Sequence, residues 1–119
     1  MELLESGEMY LETMYLLSQE KEHVRAVDIV RKLGYSRPSV SRGVSVLKER
    51  GYITVGEHNY LSFTEKGRAL VESIYEKHRV LTDYFKRIGV SEETAEADAC
   101  RIEHVISDET FQKIKDHVK

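Results

Sequence analysis

The chain has 119 residues, a net charge of −3, 33% charged and 40% hydrophobic residues, a balance that fits a globular domain and excludes a disordered one. Its one cysteine excludes an internal disulfide, and MELLESGEMY carries neither a basic leader nor a following apolar run, so a signal peptide and a membrane span are not expected. The expected compartment is the reducing cytoplasm, where a thiol stays available as a ligand or nucleophile.

Apolar periodicity predicts a first helix from about Ser6 to Lys21, with Met9, Met14, Leu16 and Leu17 among its apolar positions. A short second helix is expected over Ala26 to Leu33, using Val27, Ile29, Val30 and Leu33. GYS at 34–36 makes a turn, and Ser36 caps a third helix with Pro38 in its first turn, where a missing N–H costs nothing. Val40, Val44 and Leu47 form its inner stripe, and Gly51 ends it. YITVGEHNYLSF, residues 52–63, reads as two strands around a Gly-Glu-His-Asn turn. Thr64 caps a long fourth helix to about Ile88, with Ala69, Leu70, Ile74, Leu81 and Phe85 inside, and Gly89 closes it. Ser91 opens a fifth helix through about Val105, and Ser107 opens a sixth.

Helix, short helix, turn, basic helix and hairpin is the order of a winged helix-turn-helix. Charge supports nucleic acid as its partner. Between Arg31 and Arg50 there are six Lys/Arg residues against Glu49 alone, whereas Ser91 to Thr110 holds seven carboxylates against Arg101. A helix fits the major groove of double-stranded DNA and reads bases with its N-terminal residues, here Ser36, Arg37, Pro38, Ser39 and Arg42. Lys48 and Arg50 are placed to neutralise phosphates, as are His58 and Asn59 at the wing tip. The same basic face also fits a solvated surface or a module that binds other proteins.

A second pattern lies near the C-terminus. On one fifth helix, Glu96, Cys100, Glu103 and His104 fall at i, i+4, i+7 and i+8, so all four would share a stripe. Two carboxylates, a thiol and an imidazole crowded together repel or stay protonated, whereas a divalent cation turns them into donors. Met9, Glu12 and His78 are candidates to complete such a site. Singly, each also fits an ordinary role: Cys100 as a small buried hydrophobe, Met9 as core filler, His78 as a satisfied histidine, the glutamates as surface charges. A nucleophilic Cys100–His104 pair is a third option, with no orienting residue or oxyanion donor indicated, so an enzyme is not expected.

GEMYLETMYLL at 7–17, SRPSVSRGVSVLKERGYI at 36–53, LSFTEKGRAL at 61–70, KHRVLTDYF at 77–85 and ACRIEHVISDE at 99–109 together resemble the metal-dependent repressors typified by the diphtheria toxin repressor and the manganese transport regulator. The resemblance implies a mainly α fold, with a winged helix-turn-helix DNA-binding domain over 1–63 and a helical dimerisation and metal-binding domain over 64–119. It also implies the compact form without an SH3-like domain. Carried over by position, the activating site of the iron-type members corresponds to Met9, Cys100, Glu103 and His104. Manganese-type members have aspartate and glutamate at the first two of these positions. Glu12 and His78 match second-ion positions of that type, so the chain is a hybrid. Thr82 stands where iron-type members have glutamate and Glu96 where they have histidine, which leaves Glu96 as a candidate ligand.

A thiolate and a thioether favour Fe(II), Co(II), Ni(II) or Zn(II) over Mn(II), and Fe(II) is the expected physiological ion, with Mn(II) the runner-up. The implied function is a metal-activated repressor that binds a palindromic operator as a homodimer and controls metal-ion homeostasis genes. An ion shared by the first helix and the C-terminal half would fix two recognition helices about 34 Å apart or a multiple of it. The alternative is a winged-helix regulator that is constitutive or senses an organic ligand.

Overall fold

The computed structural model describes residues 5–118. Residues 1–4 and 119 lie outside the described residues. The chain divides into two compact units, Met1–Val71 and Glu72–Lys119. Among the described residues no helix is long and apolar enough to cross a membrane.

The first unit holds α1 (Glu5–Glu20), α2 (Ala26–Leu33), α3 (Arg37–Glu49), β1 (Ile53–Val55), β2 (Leu61–Phe63) and the start of α4 (Glu65–Arg87). Local chemistry sets most boundaries. Gly34 takes φ 72° and its N–H returns to Val30 O at 2.8 Å, ending α2. Ser36 Oγ accepts from Ser39 N at 3.3 Å and starts α3. β1 and β2 pair antiparallel with Ile53 opposite Phe63, Thr54 opposite Ser62 and Val55 opposite Leu61. A 3-10 turn over Glu57–Asn59 joins them, with His58 (φ 57°) and Asn59 (φ 62°) both left-handed. Leu61 also donates to Val24 O at 2.8 Å, which fastens the wing to the α1–α2 connection. Leu11, Met14, Ile29, Val40, Leu47 and Ile53 are the centre of the core, and each contributes about 1.5–3 kcal/mol by leaving water.

Asp28 is a buried carboxylate of this unit. It accepts from Lys21 Nζ at 2.9 Å and from the N–H of Arg25, the residue before α2, at 2.8 Å. Burial pushes its carboxyl up, but the Lys21 hydrogen bond, the Arg25 backbone bond and the charges of Lys21 and Arg31 together hold it below the usual 3.8. A carboxyl whose pKa is depressed on folding stabilises the protein above its unfolded value and loses that contribution as pH falls through the folded one. Asp28→Asn is therefore expected to cost about 1 kcal/mol near neutrality through the weakened cap. Urea unfolding at falling pH should show the gap to wild type closing only below pH 3.8.

The second unit contains the rest of α4, α5 (Glu92–Ile102) and α6 (Asp108–Val118). Ser91 and Ser107 cap α5 and α6 by accepting from Thr94 N at 3.4 Å and Thr110 N at 3.2 Å. Leu81, Ala99 and Phe111 form its core, with Val80, Phe85, Ile102, Ile106 and Ile114 around them. Lys115 meets Glu76 at 3.1 Å and Lys77 meets Asp108 at 3.4 Å, which ties α6 to α4.

Two expectations change. Ala69 is exposed, because the inner stripe of α4 runs through Gly67, Val71, Ile74 and Leu81, and position 69 lies about 200° round from position 67. The fifth helix stops at Ile102 instead of near Val105. There the N–H groups of Val105 and Ile106 both bond to Ile102 O at 2.9 Å, which turns the chain toward α6.

Candidate nucleic-acid interface and metal-binding residues

Val40, Val44 and Leu47 bury the inner face of α3, so Pro38 and Arg42 project away from the core, and both are exposed. Ser36, Ser39 and Arg42 form a linked row on the surface: Ser36 Oγ to Ser39 Oγ at 2.9 Å and Arg42 to Ser39 Oγ at 3.4 Å. The outer ridge of α3 is flanked by two grooves. One, of about 460 Å³, lies toward the wing and is lined by Arg25, Ser41, Ser45, Lys48 and Asn59 among others. The other, of about 380 Å³, lies toward α1 and is lined by Tyr10, Ser39, Arg42, Val46 and Arg50 among others.

The sequence-predicted contact residues therefore fall on both flanks of one helix and on the wing tip. Arg37, His58 and Asn59 are exposed as well. Arg25, Ser41 and Ser45 were not predicted. Ser41, Ser45 and Lys48 follow a helical period, which the sequence carries openly. Arg25 had no such signal, since it is Tyr60 of the wing that holds it, with the guanidinium 4.8 Å from the ring centroid.

Of the candidate metal ligands, Met9 and Glu12 lie on α1 in the first unit. Met9 is half-buried and Glu12 is 8% exposed. In the second unit, His78 projects from α4, Glu96 and Cys100 from α5, and Glu103 and His104 follow the end of α5. The predicted common stripe is split by burial. Glu96, Cys100 and Glu103 do lie within about 60° of one another round the helix, but Glu103 is buried beside Ala95 and Ala99 whereas Glu96 and Cys100 are exposed.

Three of the predicted residues do meet within that unit. The Glu103 side chain is fully buried, with His78 Nδ1 at 2.8 Å from Oε2 and His104 Nε2 at 3.4 Å from Oε1. Glu103 N donates to Ala99 O at 2.9 Å, so the last helical bond fixes where this carboxylate points. In the tautomer in which His78 Nδ1 donates to Glu103, the ring's lone pair lies on Nε2.

Glu103 Oε1 is buried and accepts no hydrogen bond. A buried carboxylate oxygen in that state is costly unless a cation or donor meets it. A carboxylate with imidazoles at both oxygens is a donor set that suits Fe(II), Mn(II) or Zn(II), and a carboxylate-oriented histidine is a common companion of bound metal.

Residues 2–60 match the family model described as the iron dependent repressor N-terminal DNA binding domain. Residues 64–119 match that of the iron dependent repressor metal binding and dimerisation domain. The iron-dependent repressor IdeR of Mycobacterium tuberculosis is 38% identical over 117 residues, covering 95% of this chain and 50% of that protein. The transcriptional regulator MntR of Geobacillus kaustophilus is 33% identical over 114 residues, covering 96% of this chain and 81% of that protein. The solved structure of the manganese regulator SloR superposes with a TM-score of 0.82 at 25% identity, over 99% of this chain and 54% of that one. The chain thus spans about half the length of its iron-type relatives and most of the compact one. With a DNA-binding model and a metal-binding model matched one after the other, and a compact relative matched along most of its length, the chain belongs to the family of iron- and manganese-dependent repressors.

Proposed function

We propose that this chain is a metal-activated transcriptional repressor of the cytoplasm, a regulator and not an enzyme, that binds a palindromic double-stranded operator as a homodimer when Fe(II) or Mn(II) is bound. The genes it controls are those of metal-ion homeostasis. One observation carries the metal dependence: the buried Glu103 carboxylate, with an imidazole at each oxygen and one oxygen that accepts no hydrogen bond. The proposed ligands are Glu103, His104 and His78, with Met9, Cys100 and Glu12 added by likeness to the family and Glu96 as a further candidate. Met9 and Cys100 are soft donors and favour Fe(II), while the carboxylates and imidazoles also accept Mn(II).

When bound, the cation supplies positive charge that lets these ligands stay deprotonated and ordered together. Glu103 orients the His78 ring, and Oε1 remains as the second point of attachment. The ligand set draws on the same chain segment that carries the DNA-binding elements, so metal affinity and DNA affinity are linked, and linkage of this kind is typically ~1–3 kcal/mol. On the DNA side Arg42 reads a base, Ser36, Arg37, Pro38 and Ser39 surround it, and Lys48, Arg50, His58 and Asn59 meet the backbone.

The test is operator binding followed by fluorescence anisotropy under anaerobic conditions, with added Fe(II) or Mn(II) and with chelator. Binding that tightens with either metal supports the proposal. Equal affinity with chelator favours a constitutive or organic-ligand regulator. Arg42→Ala is expected to weaken specific binding by about 1–3 kcal/mol and to relax one base preference, with the far-UV circular dichroism unchanged because the side chain is exposed.

A further inference from the structure

Contacts within the first unit join Met9 to the turn that precedes α3. Tyr35 sits between Gly34, which ends α2, and Ser36, which caps α3. Its hydroxyl donates to Met9 Sδ at 3.4 Å, across 26 positions of sequence. Its ring packs edge-on against Tyr10, with centroids 6.1 Å apart and planes at 80°. Tyr10 in turn lies against Gly43 of α3, where an added Cβ would run into the Tyr10 ring. Residues 9 and 10 of α1 thus hold α3 at its cap and at its second turn.

A thioether sulfur is a weak acceptor, and one that gives a lone pair to a cation is weaker still. We propose that Tyr35 is a latch on the Met9 thioether: its hydroxyl holds Sδ in the metal-free protein and is released, beside the N-terminus of α3, when Met9 ligates metal. Tyr35 is 42% exposed. The released hydroxyl is a neutral donor for a DNA phosphate, a contact that tyrosine makes in many protein–DNA interfaces. The latch opposes metal binding in the absence of DNA, and by reciprocity DNA that recruits the hydroxyl favours metal. This inference rests on Met9 being a metal ligand, as proposed above.

Tyr35→Phe keeps the ring and its packing on Tyr10 but removes the donor. With Zn(II) as a diamagnetic probe, calorimetry should show this variant binding metal about three-fold tighter than wild type. Operator binding by the Zn(II)-loaded variant should fall about three-fold with an unchanged salt slope, because a neutral contact displaces no counterion. In metal-free protein labelled with ¹³C at the methionine methyls, the Met9 signal should move in Tyr35→Phe while that of buried Met14 stays. Met9→Leu separates the two ideas: it should lower Zn(II) affinity by on the order of ten-fold or more. If Met9→Leu binds Zn(II) as wild type does, Met9 is no ligand and the reading beneath the latch fails. If Met9→Leu weakens binding while Tyr35→Phe changes neither Zn(II) affinity nor the Met9 signal, the latch alone is overturned.

Discussion

Glu103→Gln is expected to lower metal affinity by about 100-fold or more and to remove metal-dependent operator binding, while leaving the metal-free protein folded. The amide keeps an oxygen for His78 Nδ1, which sits 2.8 Å from Oε2 in the wild type, and has nearly the carboxylate's shape. What it lacks is the negative charge, the component a divalent cation needs most. Thermal unfolding distinguishes this from a packing role. For wild type, metal at 100 times its Kd should add about 2.7 kcal/mol of stability. The variant should show no such rise, with a metal-free Tm within a few degrees of wild type. A variant that kept the metal-induced rise would make Glu103 a structural partner of His78 and His104 and nothing more.

Gly67→Ala should destabilise the first unit by about 3 kcal/mol, at the upper end of what overpacking costs. A Cβ at this position would collide with the carbonyl oxygen of Tyr52 and sit 2.8 Å from its carbonyl carbon. Neither atom is the end of a flexible side chain. The same junction is fixed three more ways: Thr64 N donates to Tyr52 O at 3.1 Å, Thr64 Oγ1 to Gly51 O at 2.6 Å, and Gly67 N to Thr64 Oγ1 at 3.0 Å. Relief would have to come from moving β1, and β1 carries the wing. Thermal unfolding is expected to show a Tm lower by roughly 10 °C or more. DNA affinity should fall as well, measured at a temperature where the variant is folded, because the wing shifts against α3. Ala69→Gly, two residues on and exposed, should cost only about 1 kcal/mol through lost helix propensity.

What the sequence displayed and what it concealed separate along physical lines. Ser36, Ser91 and Ser107 are recognisable as helix starts because a cap bonds three residues ahead, within one turn, and Gly34 and Gly89 mark ends because both adopt positive φ. The inner face of α3 was legible from Val40, Val44 and Leu47 alone. The last turn of α5 was not. Helical spacing put Glu96, Cys100, Glu103 and His104 on one stripe, but spacing does not say which stripe faces the core. Ala95 and Ala99 face it, and Glu103 at the end of α5 is buried while Glu96, about 20° farther round, is exposed. The Val24–Leu61 bridge and the Met9–Tyr35 contact join residues 37 and 26 positions apart. Nothing local in the string signals either one. Likeness to the family supplied ligand candidates that periodicity could not rank.

The wing tip sets limits on how this surface can diversify. Two successive residues in the left-handed region, His58 and Asn59, exclude valine, isoleucine and threonine there, since branching at Cβ makes that backbone shape expensive. Asparagine, aspartate, histidine and glycine remain admissible. Under the proposed function, changes in operator preference introduced through this loop are therefore confined to a small alphabet of residues, and the flanking ridge of α3, where the backbone is ordinary helix, is the freer place for new specificities to arise.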